Sequence, residues 1–260
     1  MTVVAVIQAR VGSTRLPGKV LLPLAGAPAL QRMIERLSSS RRVDRIVVAT
    51  SISGGDDAVA DLCGRIGVAC GRGPELDVLS RFAAVADTSA ADADLLVRLT
   101  GDCPLVAPDV VDAVIVAAVE GGFDYVSNTE PPTWPDGLDV EVMTRDALIM
   151  GHRAAVVPSD REHVTPWLRR ELRSLTTAAP SSVDLSRLRW TLDEPEDYVL
   201  IAAIYAALHD DATTFTTADV LGYLQSRPEL GRINEKFGRN EGYRRSLLAD
   251  DPAGAPHDTA

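Results

Sequence analysis

VIQARVGSTRLPGK, residues 6 to 19, joins a short apolar run to a basic, glycine-containing turn. Val3 to Gln8 is apolar without alternation, as expected for a strand buried on both faces of a parallel sheet. The turn that follows carries Arg10, Arg15 and Lys19 together with Gly12, Ser13, Thr14 and Gly18, and no Asp or Glu precedes Glu35. In open α/β sheets the ligand crevice lies at the carboxyl ends of the strands, so this loop is placed to cradle an anion. Unopposed cations there suit a triphosphate or pyrophosphate, Arg offering a bidentate fork and Lys a point charge. Two common phosphate loops do not fit. Five residues separate Gly12 from Gly18 and Val20 follows Lys19, which breaks the Walker A spacing, and the dinucleotide pattern of three glycines is missing.

Outward from this stretch, Val-rich runs alternate with amphipathic ones, the signature of βαβ units around a mainly parallel, doubly wound sheet. Strands are expected near Val3 to Gln8, Arg45 to Thr50, Val68 to Gly71, Leu95 to Leu99 and Tyr125 to Asn128. Helices are expected near Pro28 to Leu37, Asp56 to Ile66, Asp77 to Asp87 and Pro108 to Val119, the last opened by a proline in its first turn. NTEPPTWPDGLDVEVM, residues 128 to 143, packs three prolines and an Asp-Gly turn ahead of an alternating run, and predicts a hairpin or antiparallel strand inserted beside the main sheet. Further on, a helix is expected over Asp160 to Leu172, a short strand over Leu188 to Leu192, and helices over Pro195 to Leu208 and Thr216 to Leu224. One domain over residues 1–248 is the expected organisation, with its insertion at about 128–170 and a disordered tail from 249.

Composition narrows the function classes. The chain has 260 residues and a formal net charge of -11, which disfavours broad binding to nucleic acid, so a polyanion must be bound locally. No apolar run reaches bilayer-spanning length and no signal-peptide pattern opens the chain, so neither membrane nor export is indicated. Cys63, Cys70 and Cys103 lack zinc-ligand spacing, and reduced thiols in the cytoplasm are the simplest reading.

Two acidic positions answer the basic loop. VRLTGDCPL, residues 97 to 105, ends an apolar strand on Asp102. RWTLDEPEDY, residues 189 to 198, ends another on Asp193 before Glu194-Pro195 opens a helix. Each aspartate alone could be a helix N-cap. Together they could converge on one Mg²⁺, which takes one or two carboxylates and completes its shell with water and phosphate oxygens. Glu196 and Asp197 supply first-turn charge or accept hydrogen bonds behind such a site. Cys103 reads as a packed small side chain.

The ordered set VIQARVGSTRLPGKVL, VVATS at 47 to 51, RLTGDCPL, PDGLDVEV at 135 to 142, REHVTPW at 161 to 167 and TLDEPEDY resembles the cytidylyltransferases. Within them it is most similar to the spore coat polysaccharide type, and more distantly to the CMP-ketodeoxyoctonate and CMP-acylneuraminate synthetases. The resemblance spans roughly residues 3 to 205. It implies a Rossmann-like nucleotide-diphospho-sugar transferase fold and Mg²⁺-dependent transfer of CMP from CTP with release of pyrophosphate. It places Arg10 and Lys19 on the triphosphate, with Gly12, Ser13, Thr14 and Arg15 completing the loop. Ala9, Thr50 and Ser51 fall where cytosine and ribose are held, Arg72 and Arg98 beside the nucleotide, and Asp102 and Asp193 on the metal. Family members commonly pair near the middle segment, so a homodimer is expected.

The acceptor is read from the residues. Asp139 and Glu141 share one face of an extended run, either as a pocket wall for an acceptor bearing hydroxyls or an amine, or as the polar face of an edge strand. Arg161, Glu162 and His163 cluster at a helix start, His163 serving as base, acceptor contact or structural side chain. A sugar acid or related small acidic acceptor is the leading reading. The same fold using another nucleoside triphosphate, and a catalytically lapsed nucleotide binder, are the alternatives.

Overall fold

The computed structural model describes residues 1–179, 184–210, 212 and 214–250. Its strands are β1 (Val3–Gln8), β2 (Pro23–Leu24), β3 (Ala27–Pro28), β4 (Arg45–Ser51), β5 (Ala69–Gly73), β6 (Leu95–Thr100), β7 (Tyr125–Ser127), β8 (Glu141–Thr144) and β9 (Ser174–Thr176). Seven of them form one sheet in the order β5-β4-β1-β6-β8-β7-β9, and β2 and β3 pair antiparallel apart from it. β5, β4, β1 and β6 run parallel.

The helices are α1 (Ala29–Leu37), α2 (Asp57–Ile66), α3 (Val78–Asp87), α4 (Pro108–Gly121), α5 (Arg145–Ala154), α6 (Pro158–His163), α7 (Pro166–Glu171), α8 (Pro195–Leu208), α9 (Thr217–Ser226), α10 (Pro228–Gly231) and α11 (Glu241–Asp250). Strand β1 shows why the sheet is wound on both faces. Val4 and Val6 pack with Leu79, Phe82 and Leu148 of α3 and α5, while Ala5 and Ile7 pack with Leu30, Val111 and Ile201 of α1, α4 and α8. Side chains alternate across a strand, so one six-residue run feeds two cores. Each fully buried aliphatic side chain there contributes about 1.5–3 kcal/mol relative to exposure.

The inserted strand corrects the expected placement. β8 enters the interior of the sheet, antiparallel to both β6 and β7, instead of lying at its margin. Val142 is fully buried between those neighbours, so an edge position would have exposed an apolar side chain and an unpaired backbone row. β9 then pairs with β7 as the outer strand.

Two other expectations change. The single helix expected over 160 to 172 is two helices, α6 and α7, broken at Val164 and Thr165. Pro166 has no N–H and its ring crowds the preceding turn, and the chain reverses through Val164 with φ 72°. Residues 188 to 192 make no ladder: one parallel bridge joins Arg189 to Asp136, and Leu192 N–H donates to the Asp102 carbonyl at 2.7 Å. Pro135 and Gly137 limit that pairing. Gly137 has φ 107°, and a Cβ there would lie 2.6 Å from the Trp190 carbonyl carbon, so only glycine allows this close approach. Ala249 and Asp250 belong to α11, and the rest of the expected tail, 251–260, lies outside the described residues. Among the described residues no helix is long and apolar enough to cross a membrane.

Candidate active site

The carboxyl ends of β1 and β6 lie in register, Gln8 opposite Thr100, and Gly101 N–H donates to the Gln8 carbonyl at 2.8 Å. Both strands then open into loops that share one cleft of about 580 Å³. From the first loop Ala9, Arg10, Gly12, Ser13, Thr14, Arg15 and Lys19 line it. The opposite walls carry Asp102, Asp193, Arg98, Asp139, Glu141 and His163.

Lys19 is the hinge of this arrangement. Gly18 turns the chain with φ 69°, and Lys19–Leu21 follows as a single 3-10 turn that aims the ammonium group across the cleft. Its Nζ lies 2.6 Å from Asp102 Oδ2 and 2.5 Å from Asp193 Oδ1. Burial alone would lower the lysine pKa, but the two carboxylates outweigh it and raise it. Burial would likewise raise Asp102, and the Lys19 ammonium instead holds it at about 2. Neither aspartate caps a helix. The N-cap of α8 is Glu194, which with Asp197 forms a capping box. Freed of capping, the two carboxylates converge on one point.

The cations that look unopposed in the local sequence are paired by distant carboxylates. Arg15 reaches Asp193 at 3.1 Å, Glu194 at 2.8 Å and Glu241 of α11 at 3.5 Å. Arg10 is looser, 3.8 Å from Glu75. An anion binding at this loop would take the place of those carboxylate partners.

Two residues behind the cleft hold the site in shape: Asp56, which the local pattern does not single out, and Asp197, which accepts hydrogen bonds there as expected. Asp56 accepts the Val11 N–H at 2.6 Å and the Ser51 hydroxyl, which pins the start of the basic loop to the end of β4. Asp197 is fully buried. It takes both guanidinium donors of Arg189 at 3.0 and 2.9 Å, the Asn234 amide at 2.8 Å, and the N–H groups of Asp193 and Glu194 at 3.0 and 2.9 Å. The Asp193 backbone is thereby fixed. The Glu-x-x-Asp spacing that opens α8 is a further sequence signal for Asp197.

On the other wall Glu141 is a buried hub. It accepts from Arg98, from Tyr125 Oη at 2.6 Å and from Thr165, which the break between α6 and α7 turns inward. Burial would raise its pKa, but Arg98 and the two hydroxyls keep it low. Asp139 pairs with Arg239, and Arg189 reaches Asp136 at 3.1 Å. Burial outweighs those arginines, pushing Asp139 up to about 7 and Asp136 to about 6. His163 Nε2 lies 2.9 Å from Ser246 Oγ, and burial and Arg98 hold its pKa down, favouring the neutral ring. Cys103 is packed beside Thr100 with its thiol pushed up by burial, which suits a core side chain and no nucleophile.

Four of the expected site residues stand outside the cleft lining. Thr50 and Ser51 are fully buried at the end of β4, and Ser51 acts on the loop through Asp56. Arg72 donates to the carbonyls of Ser51 and Ser53 at 2.8 and 3.0 Å and pairs with Asp57, bracing that turn. Arg161 joins α6 to the start of α3 through Asp77 at 2.7 Å and the Ala155 carbonyl at 2.8 Å. Its guanidinium is spent on that joint and lies outside the cleft lining.

A mainly parallel sheet with a basic loop facing Asp102 and Asp193 suits a nucleotidyltransferase. The cytidylyltransferase family model matches residues 4–210, and the chain belongs to that family. It is 36% identical over 208 residues, 77% of this chain and 85% of the other, to the spore coat polysaccharide biosynthesis protein SpsF of Bacillus subtilis. An uncharacterised protein of Methanocaldococcus jannaschii is 34% identical over 94% of this chain and 98% of its own length. Among solved structures, a cytidylyltransferase from Leptospira borgpetersenii superposes with a TM-score of 0.82 at 29% identity, covering 89% of this chain and 97% of that one.

Proposed function

We propose that this cytidylyltransferase transfers CMP from CTP, with Mg²⁺, to a hydroxyl of a sugar acid or related small acidic molecule. The observation that carries the reading is the convergence of Asp102 and Asp193 on the Lys19 ammonium, next to the basic loop. Two hard carboxylate donors meeting at one point fit Mg²⁺, an ion that takes one or two carboxylates and completes its shell with water and phosphate oxygens. Asp102 and Asp193 would hold it. When bound, the ion supplies positive charge to the phosphoryl oxygens.

The protein's own groups do the rest. Arg10, Arg15 and Lys19 grip the triphosphate and neutralise the charge that gathers on the departing pyrophosphate. The acceptor oxygen bonds to the α-phosphorus in line as the bond to the β-phosphate bridging oxygen breaks. Asp139, titrating at about 7 in the cleft, is suited to take the hydroxyl proton at neutral pH. The three free thiols are consistent with a reducing cytoplasm. The role of SpsF in spore coat polysaccharide synthesis, as its name states, supports a sugar-derived acceptor.

A pyrophosphate-release assay with the four nucleoside triphosphates, Mg²⁺ and acidic sugar acceptors tests the reading. CTP is expected to be used best. Equal rates with UTP or GTP, or tight CTP binding with no turnover, would refute it.

The pH dependence follows from the raised carboxyls. The rate is expected to rise with pH through about 7 as Asp139 ionises, and Asp139→Asn to remove that limb. Stability runs the other way. The folded pKa values of about 6 and 7 for Asp136 and Asp139 lie above the unfolded value near 3.9, so the unfolded chain releases these protons first. Their contribution to stability therefore falls between about pH 4 and 7, and an Asp136→Asn, Asp139→Asn double variant should flatten that part of a Tm-against-pH curve.

A further inference from the structure

Helix α11 lies beyond residue 210, where the family match ends, yet Glu241, Tyr243, Arg245 and Ser246 line the cleft. It buries no residue of its own and adds none to either hydrophobic core. Apolar packing therefore does not explain its position. Polar contacts within the cleft hold it instead. Glu241 reaches Arg15 on the triphosphate loop, and Arg239, just ahead of the helix, pairs with Asp139 on the opposite wall. Ser246 bonds to both His163 at 2.9 Å and Glu162 at 2.8 Å, and the Tyr243 ring stands edge-on to His163 with centroids 4.9 Å apart.

Among these groups Arg245 stands out. Its Nε donates to the Glu241 carbonyl at 3.3 Å, and among the described residues its guanidinium meets no carboxylate. The other cations on the cleft wall face one, except Arg81, which is buried and spends its guanidinium on the Pro74 and Glu75 carbonyls. Arg98 has Glu141, Arg169 has Glu130, and Lys19 has its two aspartates. An unpaired guanidinium at the acceptor end is a vacant bidentate fork for a carboxylate, phosphate or phosphonate.

We propose that α11 is the specificity-determining wall of the acceptor pocket and that Arg245 binds the anionic group of the acceptor. The inference rests on the acidic-acceptor reading above and adds to it the element that selects the acceptor. Glu241 ties the start of α11 to the triphosphate loop, and the rest of the helix lies outside the family match, where acceptor choice can diverge while CTP use is kept.

The test uses the full chain with CTP and Mg²⁺, and one hexuronic acid, one 2-keto sugar acid, one sugar phosphate and one uncharged hexose as acceptors. Arg245→Ala is expected to raise KM for the best anionic acceptor by about ten- to a hundredfold, the range for losing a charge-assisted hydrogen-bonded contact. KM for CTP should stay within about twofold, and Arg245→Lys should recover part of the loss. An unchanged acceptor KM, or equal shifts for acceptor and CTP, would overturn the proposal. The acidic-acceptor reading fails separately, if the uncharged hexose is used as well as the acids. Hydrogen exchange decides independently of turnover. Methylphosphonate added to the CTP-loaded enzyme should slow exchange across residues 239–250 in the wild type and not in Arg245→Ala. Protection in neither protein, or in both equally, contradicts the assignment.

Discussion

Lys19→Ala is expected to lower CTP-dependent pyrophosphate release by about two to three orders of magnitude, the range for losing one preorganised group that meets transition-state charge. The variant removes the only group among the described residues that bonds the carboxylates of both Asp102 and Asp193. It leaves two carboxylates facing one another, and the Asp102 pKa should climb from about 2 as the ammonium that holds it down is lost. CTP affinity should fall much more than CMP affinity, because the lost contact is to the terminal phosphates. Equal weakening of both nucleotides would remove Lys19 from the triphosphate site. The companion variant Asp102→Asn keeps the side-chain shape and should abolish turnover with the fold intact, and wild-type rates in it would refute the assignment.

Asp197→Ala should be the most damaging single change to stability, about 3–5 kcal/mol, because it strands the buried Arg189 guanidinium without its two-pronged partner. At roughly 2–4 °C per kcal/mol for a chain of this size, a thermal melt reads the loss directly. Activity should fall as well, since the Asp193 and Glu194 N–H groups lose the acceptor that fixes them. Asp197→Asn retains one acceptor oxygen and should fall between. A melting point for Asp197→Ala equal to that of the wild type would show that Arg189 and Asn234 hold the segment without it.

Local pattern carries far in this chain because its parallel strands are buried on both faces. Runs such as Val3 to Gln8 and Leu95 to Leu99 are continuous apolar segments, and the helices between them start and stop at Pro108, Gly67 and Gly122 as their chemistry dictates. Asp102, Asp193 and the basic loop were legible for the same reason, each sitting where an apolar run ends. What the sequence hides is pairing across the fold. Nothing near Arg15 announces Glu241, and nothing near Asp139 announces Arg239, so a loop that reads as unopposed positive charge is a set of ion pairs. The break at Val164 was also hidden, although Pro166 offered a cue: a buried, β-branched residue at positive φ is held by its surroundings, here the seat of Val164 in the core and the bond from Thr165 to Glu141. Residues 188 to 192 kept a strand's composition and lost its ladder because Pro135 and Gly137 leave them a single bridge.

One cation site is expected to join Asp102 and Asp193 beneath a triphosphate held by residues 10 to 19. Crystals of the full chain grown with CTP and Mn²⁺ allow the metal to be located by anomalous scattering. A peak coordinated by both carboxylates and by CTP phosphate oxygens is the predicted result. CTP bound in the cleft with the metal touching neither aspartate would contradict it.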